Sequence, residues 1–201
     1  FNDGYSGRRV LVTGHTGFKG SWLSLWLKQL GAEVGGFSMG TPGPLSNFEL
    51  LGLEKHLHHY VGDIRDLSRL AQVIDEFKPD IVFHLAAQAL VRQSYTDPAT
   101  TFETNTMGMV NLLECVRTRP WISAAVLITS DKAYRNVEWC WGYRETDALG
   151  GNDPYSGSKS CADLVAQSYF HSYLRHTPTR IAITRAGNVI GGGDWADDRI
   201  V

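Results

Sequence analysis

The stretch VLVTGHTGFKG, residues 10–20, decides the fold. Val10, Leu11, Val12 and Thr13 suit a short buried strand, and they run into Gly14, Gly17 and Gly20 at three-residue spacing. Beyond the third glycine, Trp22, Leu23, Trp26, Leu27 and Leu30 recur at helical spacing until Gly31 stops the pattern. Strand, glycine turn and helix in that order make a dinucleotide loop. Glycine permits the tight turn and lets backbone N–H groups approach a pyrophosphate, while the helix N-terminus adds its partial positive charge. The spacing is GxxGxxG rather than GxGxxG. Gly14, Thr16, Gly17, Phe18 and Gly20 are the residues expected to hold the cofactor here.

Outward from this loop, apolar runs and helical patterns alternate. Strands are expected over residues 32–38 (weakened by Gly35 and Gly36), 58–63, 80–86, 123–130 and 180–187. Helices are expected over 66–78, started by Asp66 and stopped before Pro79, over 98–118 with Pro98 at its start, and over 154–174. Strands apolar on both sides and separated by helices predict an α/β, Rossmann-type doubly wound parallel sheet. Ligands on such sheets bind at the carboxyl ends of the strands.

Composition narrows the function. The chain has 201 residues, 43% hydrophobic and 20% charged, which suits one soluble globular domain or one and a part. A net charge of −2 offers no basic field for nucleic acid or an anionic membrane, and no apolar run is long enough to span a bilayer. No signal peptide is read in the polar, glycine-containing opening residues. Cys115, Cys140 and Cys161 are widely spaced and odd in number, which points to a reducing, cytoplasmic compartment. His56, His58 and His59 lack partners at ligand spacing and read as a solvated edge, so no metal is expected. Both ends look cut, and a C-terminal portion is expected beyond Val201.

An acidic residue usually ends the second strand and holds the ribose hydroxyls. GFSMGTPG offers none: Gly40 stands where Asp is expected, with Ser38 and Thr41 as weak substitutes and Lys19 able to tolerate a phosphate. NAD is expected, and these residues leave NADP open. Asp63 and Ile64, after the third strand, are candidates for the adenine, and Ala86, Ala87 and Gln88, after the fourth, for the cofactor's wall. YSGSK places Tyr155 and Lys159 at i and i+4 on one helix face. An ammonium beside a phenol favours the phenolate, which can remove a proton from a hydroxyl while hydride departs. Some 25 residues earlier, LITSDKAY brings Thr129, Ser130, Asp131 and Lys132 together where the fifth strand leaves its sheet.

Gly14, Gly17, Gly20, Ser130, Tyr155 and Lys159 resemble the extended short-chain dehydrogenase/reductase (NAD-dependent epimerase/dehydratase) family. The likeness covers nearly the whole chain as that family's cofactor domain, placed at residues 1–185, with 186–201 beginning the substrate-binding region. GHTGFKGSWLSLWL, GDIRD, FKPDIVFHLAAQ, TSDKAY, WGYRE, DPYSGSK and RAGNVIGGGDW are similar to the branch that dehydrates nucleotide-hexoses, CDP-glucose in particular. The resemblance implies an oxidation at C4, elimination of water across C5 and C6, and return of hydride to C6. It makes Asp131 the acid at the 6-oxygen and Lys132 the base at C5. A neutral Lys132 needs a lowered pKa, with Lys159 and burial pushing that way and Asp131 pushing back. Both side chains reach one sugar only if the strand ends near Thr129, because neighbours on a continuing strand point to opposite faces. Ser130 is expected at the 4-oxygen, Gln88, Asn188 and Arg199 at the substrate, and Asn105 either in a structural role or fixing nearby loops. Trp139 and Trp141 either wall the site or simply pack. The family's habit implies a homodimer or higher homo-oligomer through residues 98–118 and 154–174. The other readings are an epimerase or reductase of the same superfamily and a non-catalytic NAD(P)-binding module.

Overall fold

The computed structural model describes residues 3–43 and 45–196. Six strands form one parallel sheet: β1 (Arg9–Thr13), β2 (Glu33–Ser38), β3 (His58–Val61), β4 (Ile81–His84), β5 (Ala124–Ile128) and β6 (Arg180–Thr184). Their order is β3-β2-β1-β4-β5-β6. The order reverses between β1 and β4, which opens a crevice at the carboxyl ends of those two strands. This is the Rossmann-type sheet expected from the alternating pattern.

Alternation along β1 explains why both faces are covered. Leu11 packs into one cluster with Phe37, Val82, Leu112, Leu127 and Ala166, while Val10 and Val12 join Leu27, Ala32 and Val34 in the other. The first cluster lies under α3 (Leu67–Phe77), α6 (Gly108–Arg117) and α7 (Pro154–Tyr169). The second lies under α1 (Phe18–Gln29). The two glycines in β2 are needed rather than merely tolerated. A Cβ on Gly35 would meet the Phe77 ring at 2.8 Å, and one on Gly36 the His15 ring at 2.2 Å.

Three expectations change in detail. The apolar stripe of α1 faces the sheet only in part: Gly20, Ser21, Ser24 and Leu27 are buried and Leu23 packs on the core, whereas Trp22 and Trp26 are about half exposed at 46% and 49%. Small residues win because the helix starts hard against the glycine turn, where a Cβ on Gly20 would lie 2.1 Å from the Gly14 carbonyl oxygen. The helix over 98–118 is one run interrupted by a π-turn, α5 (Pro98–Phe102), Glu103–Met107, then α6. A second π-turn, Phe170–Leu174, ends the run begun by α7. Two short helices, α2 (Asn47–Leu50) and α4 (Val91–Thr96), occupy stretches that the sequence pattern left as loop.

Candidate active site

The glycine turn is built from backbone. Gly14 has φ +74°, and its N–H donates to the Phe37 carbonyl at 2.8 Å. A side chain there would strike the Ala86 backbone nitrogen at 2.8 Å, so the β1 and β4 turns approach each other because Gly14 has none. Thr13 fixes the same approach, its hydroxyl bonding His84 Nδ1 at 2.8 Å and accepting from the Ala86 N–H at 3.2 Å. Gly17 caps α1 without a side-chain acceptor, leaving the first-turn N–H groups of that helix for a ligand. These features fit a pyrophosphate of the expected dinucleotide.

Beside the turn lies a cleft of about 480 Å³. Its wall is formed by Lys19, residues 89–92, residues 129–132, Tyr155, residues 186–191 and Asp194. Strand β5 stops at Ile128, Ser130 is extended, and Asp131–Ala133 make one 3-10 turn. A turn of three residues rotates successive side chains by about a third of a circle rather than to opposite faces. Asp131 and Lys132 therefore reach the same cleft as Tyr155. Ser130 fixes the turn: its hydroxyl donates to Asp131 Oδ1 at 3.1 Å and accepts from the Lys132 N–H at 3.2 Å.

Tyr155 stands in the first turn of α7, which Asp153 caps by accepting from the Ser156 N–H at 2.9 Å. Lys159 follows one turn later, is 7% exposed and does not form part of the cleft wall. Burial, with the like charge of Lys19, pushes its pKa down from 10.5 to about 8. At neutral pH it therefore remains mostly an ammonium beneath the phenol. His84 below it is held neutral, its pKa pushed down to about 3 by burial and then by Lys159.

Residues 11–190 match the GDP-mannose 4,6 dehydratase family. A CDP-glucose 4,6-dehydratase of Salmonella typhimurium is 54% identical over 98% of this chain and 56% of its own length. The chain belongs to the GDP-mannose 4,6-dehydratase family. Among solved structures, a UDP-glucose 4-epimerase of Thermus thermophilus in complex with NAD superposes with a TM-score of 0.76 at 30% identity, over 88% of this chain and 54% of that one. A dTDP-glucose 4,6-dehydratase of Bacillus anthracis in complex with NAD gives 0.73 at 27% identity, over 88% and 54%. The chain thus spans about half the length of the curated and solved relatives it matches.

Within this family member, several expected ligand contacts prove to be occupied by the protein itself. The Gln88 amide donates to the Leu90 carbonyl and the Thr101 hydroxyl, both at 3.0 Å, and accepts from the Leu90 N–H. Both its donors and one lone pair of its oxygen are thus used within the protein, tying the loop after β4 to α5. The Ile64 side chain is buried under Gly108, leaving only its backbone near the β3 edge. The Asp63 carboxylate is held by Arg65 at 2.6 Å, which keeps its pKa below the usual range. The Thr16 hydroxyl donates to the Gly40 carbonyl at 2.6 Å. Ala86 and Ala87 remain half-buried after β4, and the Phe18 ring packs near Gly191.

The anticipated burial of Lys132 is absent: its side chain is exposed, as is that of Asp131, because the 3-10 turn projects them from the sheet edge. Trp139 stacks near Tyr143 at 5.6 Å and Trp141 is 73% exposed; neither lines the cleft. Asn188 does line it, whereas Arg199 lies outside the described residues. Asn105, aimed by the π-turn, donates to the Gln88 carbonyl and the Ser158 hydroxyl and accepts from the Gln88 N–H, so it ties the loop after β4 to α7. The polar end of β2 is filled by a buried histidine. His15 Nε2 bonds His59 Nδ1 at 2.7 Å and its Nδ1 bonds the Ser38 hydroxyl at 3.0 Å. Burial, then His59, pushes the His15 pKa down to about 3. Among the described residues no three His, Cys, Asp or Glu form a metal-binding group, and no helix is long and apolar enough to cross a membrane.

Arg92, on the unanticipated α4, is the cleft residue the sequence pattern missed. Helix α4 also receives α7: Ser94 Oγ accepts from the Tyr155 N–H at 3.1 Å. The only available signal was a serine between the fourth strand and Pro98, which is too common to read.

Proposed function

We propose that this chain is the cofactor-binding half of an NAD-dependent nucleotide-hexose 4,6-dehydratase that converts CDP-glucose to CDP-4-dehydro-6-deoxyglucose and water. The observation that carries this is the shared cleft of Tyr155, Asp131 and Lys132. Epimerisation at C4 needs a base at the 4-hydroxyl alone, whereas elimination needs a base at C5 and an acid at O6. The pair Asp131-Lys132 supplies both. The 54% identity to the Salmonella typhimurium CDP-glucose 4,6-dehydratase supports the same choice and the cytidine base.

Gly14, Gly17 and Gly20 with the α1 N-terminus would hold the pyrophosphate of NAD, and Thr129, Tyr155 and Lys159 its nicotinamide end. NAD held there would supply the hydride acceptor for C4 and the hydride donor for C6, so the overall change would not be a net oxidation. Tyr155 removes the 4-hydroxyl proton, and the Lys159 ammonium one turn away favours its phenolate. Ser130 bonds the 4-oxygen. Ketone formation makes C5–H acidic and the 6-hydroxyl a β-leaving group, so Lys132 in its neutral amine form takes the C5 proton while Asp131 in its protonated form gives a proton to O6. Lys19, Arg92 and Lys132 outnumber Asp131 and Asp194 along the cleft, which favours an anionic diphosphate. Asn188, and Arg199 beyond the described residues, are assigned to the nucleotide-sugar.

Neither an acid nor an arginine follows β2 in Met39-Gly40-Thr41. NAD is assigned from the NAD-bound relatives. The cofactor domain is assigned to 1–185 and the start of the substrate region to 186–201. A homodimer is assigned through α6 and α7, where Leu164 is exposed, and a cytoplasmic location from the three free cysteines. The test is incubation of full-length protein with CDP-glucose and catalytic NAD, followed by the alkaline absorbance of a 4-keto-6-deoxy sugar. Product is expected from CDP-glucose; product from dTDP-glucose alone would keep the chemistry and remove the substrate.

A further inference from the structure

Three segments of the cleft meet at one buried carboxylate that takes no part in the chemistry above. Asp163 is fully buried on α7, at i+4 from Lys159 and i+8 from Tyr155, and so on their side of the helix. Its Oδ2 accepts from Arg185 Nε at 2.7 Å and from the Thr129 hydroxyl at 3.2 Å, whose one proton it shares with the Thr184 carbonyl, also at 3.2 Å. Its Oδ1 accepts from Arg185 Nη2 at 2.9 Å and from Gln167 at 2.7 Å. All its lone-pair directions are used, and the bidentate fork fixes the guanidinium plane.

The two partners hold positions that matter. Thr129 is the last residue before Ser130, Asp131 and Lys132, and Arg185 is the last before residues 186–191, which form the facing wall. The two strand ends continue their ladder past the sheet, the Thr129 N–H donating to the Thr184 carbonyl at 2.8 Å and the Asp131 N–H to the Ala186 carbonyl at 3.0 Å. A Cβ on Gly187 would rest 3.6 Å from Asp131 Oδ2, so this ladder also sets where the carboxylate lies. Arg185 reaches the excursion 135–149 as well. Its Nη1 donates to the Glu145 carbonyl at 3.0 Å, and its guanidinium lies 4.7 Å over the Tyr134 ring.

We infer that Asp163 is a positioning residue. Through Thr129 and Arg185 it locks the acid–base pair Asp131-Lys132 in register with Tyr155 on its own helix. The consequence is specific to one step. Tyr155 and Lys159 ride on α7 whatever Asp163 bonds, so oxidation at C4 tolerates its loss. Elimination needs the β5 end held against α7, so it does not.

This rests on the dehydratase reading, and two measurements on full-length protein separate the two. In Asp163→Asn and in the milder Arg185→Lys, which keeps the positive charge but loses the bidentate fork, amide hydrogen exchange at Thr129 and Asp131 is expected to quicken. In single turnovers with CDP-glucose and bound NAD, elimination is expected to slow about ten- to a hundredfold while C4 oxidation stays within about threefold, the size of loss that a displaced catalytic group brings. Reduced nicotinamide then accumulates in the near ultraviolet, which wild type does not show. Unchanged exchange, or both steps falling in equal proportion, would overturn the inference. If wild type forms no product, the dehydratase reading fails, and the exchange result alone decides whether Asp163 is the anchor.

Discussion

At the scale of single residues, the chemistry divides between a redox pair and an elimination pair, and substitutions should separate them. Lys132→Ala and Asp131→Asn are each expected to lower turnover by about 10²–10⁴-fold, the usual worth of a positioned acid or base, while dinucleotide binding is kept. Tyr155→Phe is expected to block the reaction before any nicotinamide is reduced. Full turnover in Lys132→Ala beside a dead Tyr155→Phe would point to an epimerase or reductase instead. Lys159 carries a pH signature. Its pKa falls from 10.5 to about 8 on folding. Between those values the unfolded chain binds the extra proton, so this group makes stability rise with pH, by about 3 kcal/mol in all. Below pH 8 both states are protonated and the burial cost is fully present. Denaturant titrations of wild type and Lys159→Met, without cofactor, should therefore converge as pH rises from about 8 toward 10.5. A constant gap would mean that Lys159 is not desolvated. That Tyr155, Asp131 and Lys132 would share one cleft was legible in YSGSK and in LITSDKAY at the end of the fifth strand, whereas their roles came from the family resemblance. The bonds of Gln88 to Leu90 and Thr101 were not legible, because an amide suits a ligand as well as a loop and its partners lie on a turn and a helix the pattern does not bring together.

At the scale of elements, the glycine turn and α1 make the sharpest case. A Cβ on Gly20 would sit 2.1 Å from the Gly14 carbonyl oxygen, so Gly20→Ala must part the helix from the turn. A loss of about 1–3 kcal/mol in stability is expected, as for overpacked sites, together with weakened dinucleotide binding by fluorescence titration. Gly142→Ala, whose Cβ would meet nothing within 4 Å, is the matched control and should be near neutral. Strand and helix types were legible here because alternation, caps and stops agree: Asp66 caps where expected, Pro98 opens α5 and Pro154 opens α7. The face that α1 buries was not. Apolar periodicity did not separate Trp22 and Trp26 from Leu23 and Leu27, and close helix–turn approach selects for small side chains over large ones. Helix α4 escaped because it is six residues long. Such a helix is held by its neighbours and writes little periodicity of its own.

At the scale of the whole molecule, the sheet order β3-β2-β1-β4-β5-β6 puts the glycine turn and the β5 and β6 ends on one edge, and the cleft forms there. That arrangement was legible from alternation alone, since parallel strands with helical crossovers leave few other topologies. The Asp163–Arg185 pair was not, because its members lie on different elements and their link appears only when α7 packs beside β5 and β6. It should also weigh on the whole fold. Removing one partner leaves a buried charge uncompensated, so Asp163→Asn is expected to cost about 3–5 kcal/mol in denaturant titration, whereas exposed pairs such as Arg117–Glu114 should cost about 1 or less. The central claim is that one cleft carries oxidation at C4 and elimination across C5 and C6. The most direct test follows hydrogen through one turnover of CDP-[4-²H]glucose by full-length protein. Deuterium from C4 is expected at C6 of the product, with solvent hydrogen at C5. Deuterium returned to C4, with O6 still in place, would contradict it.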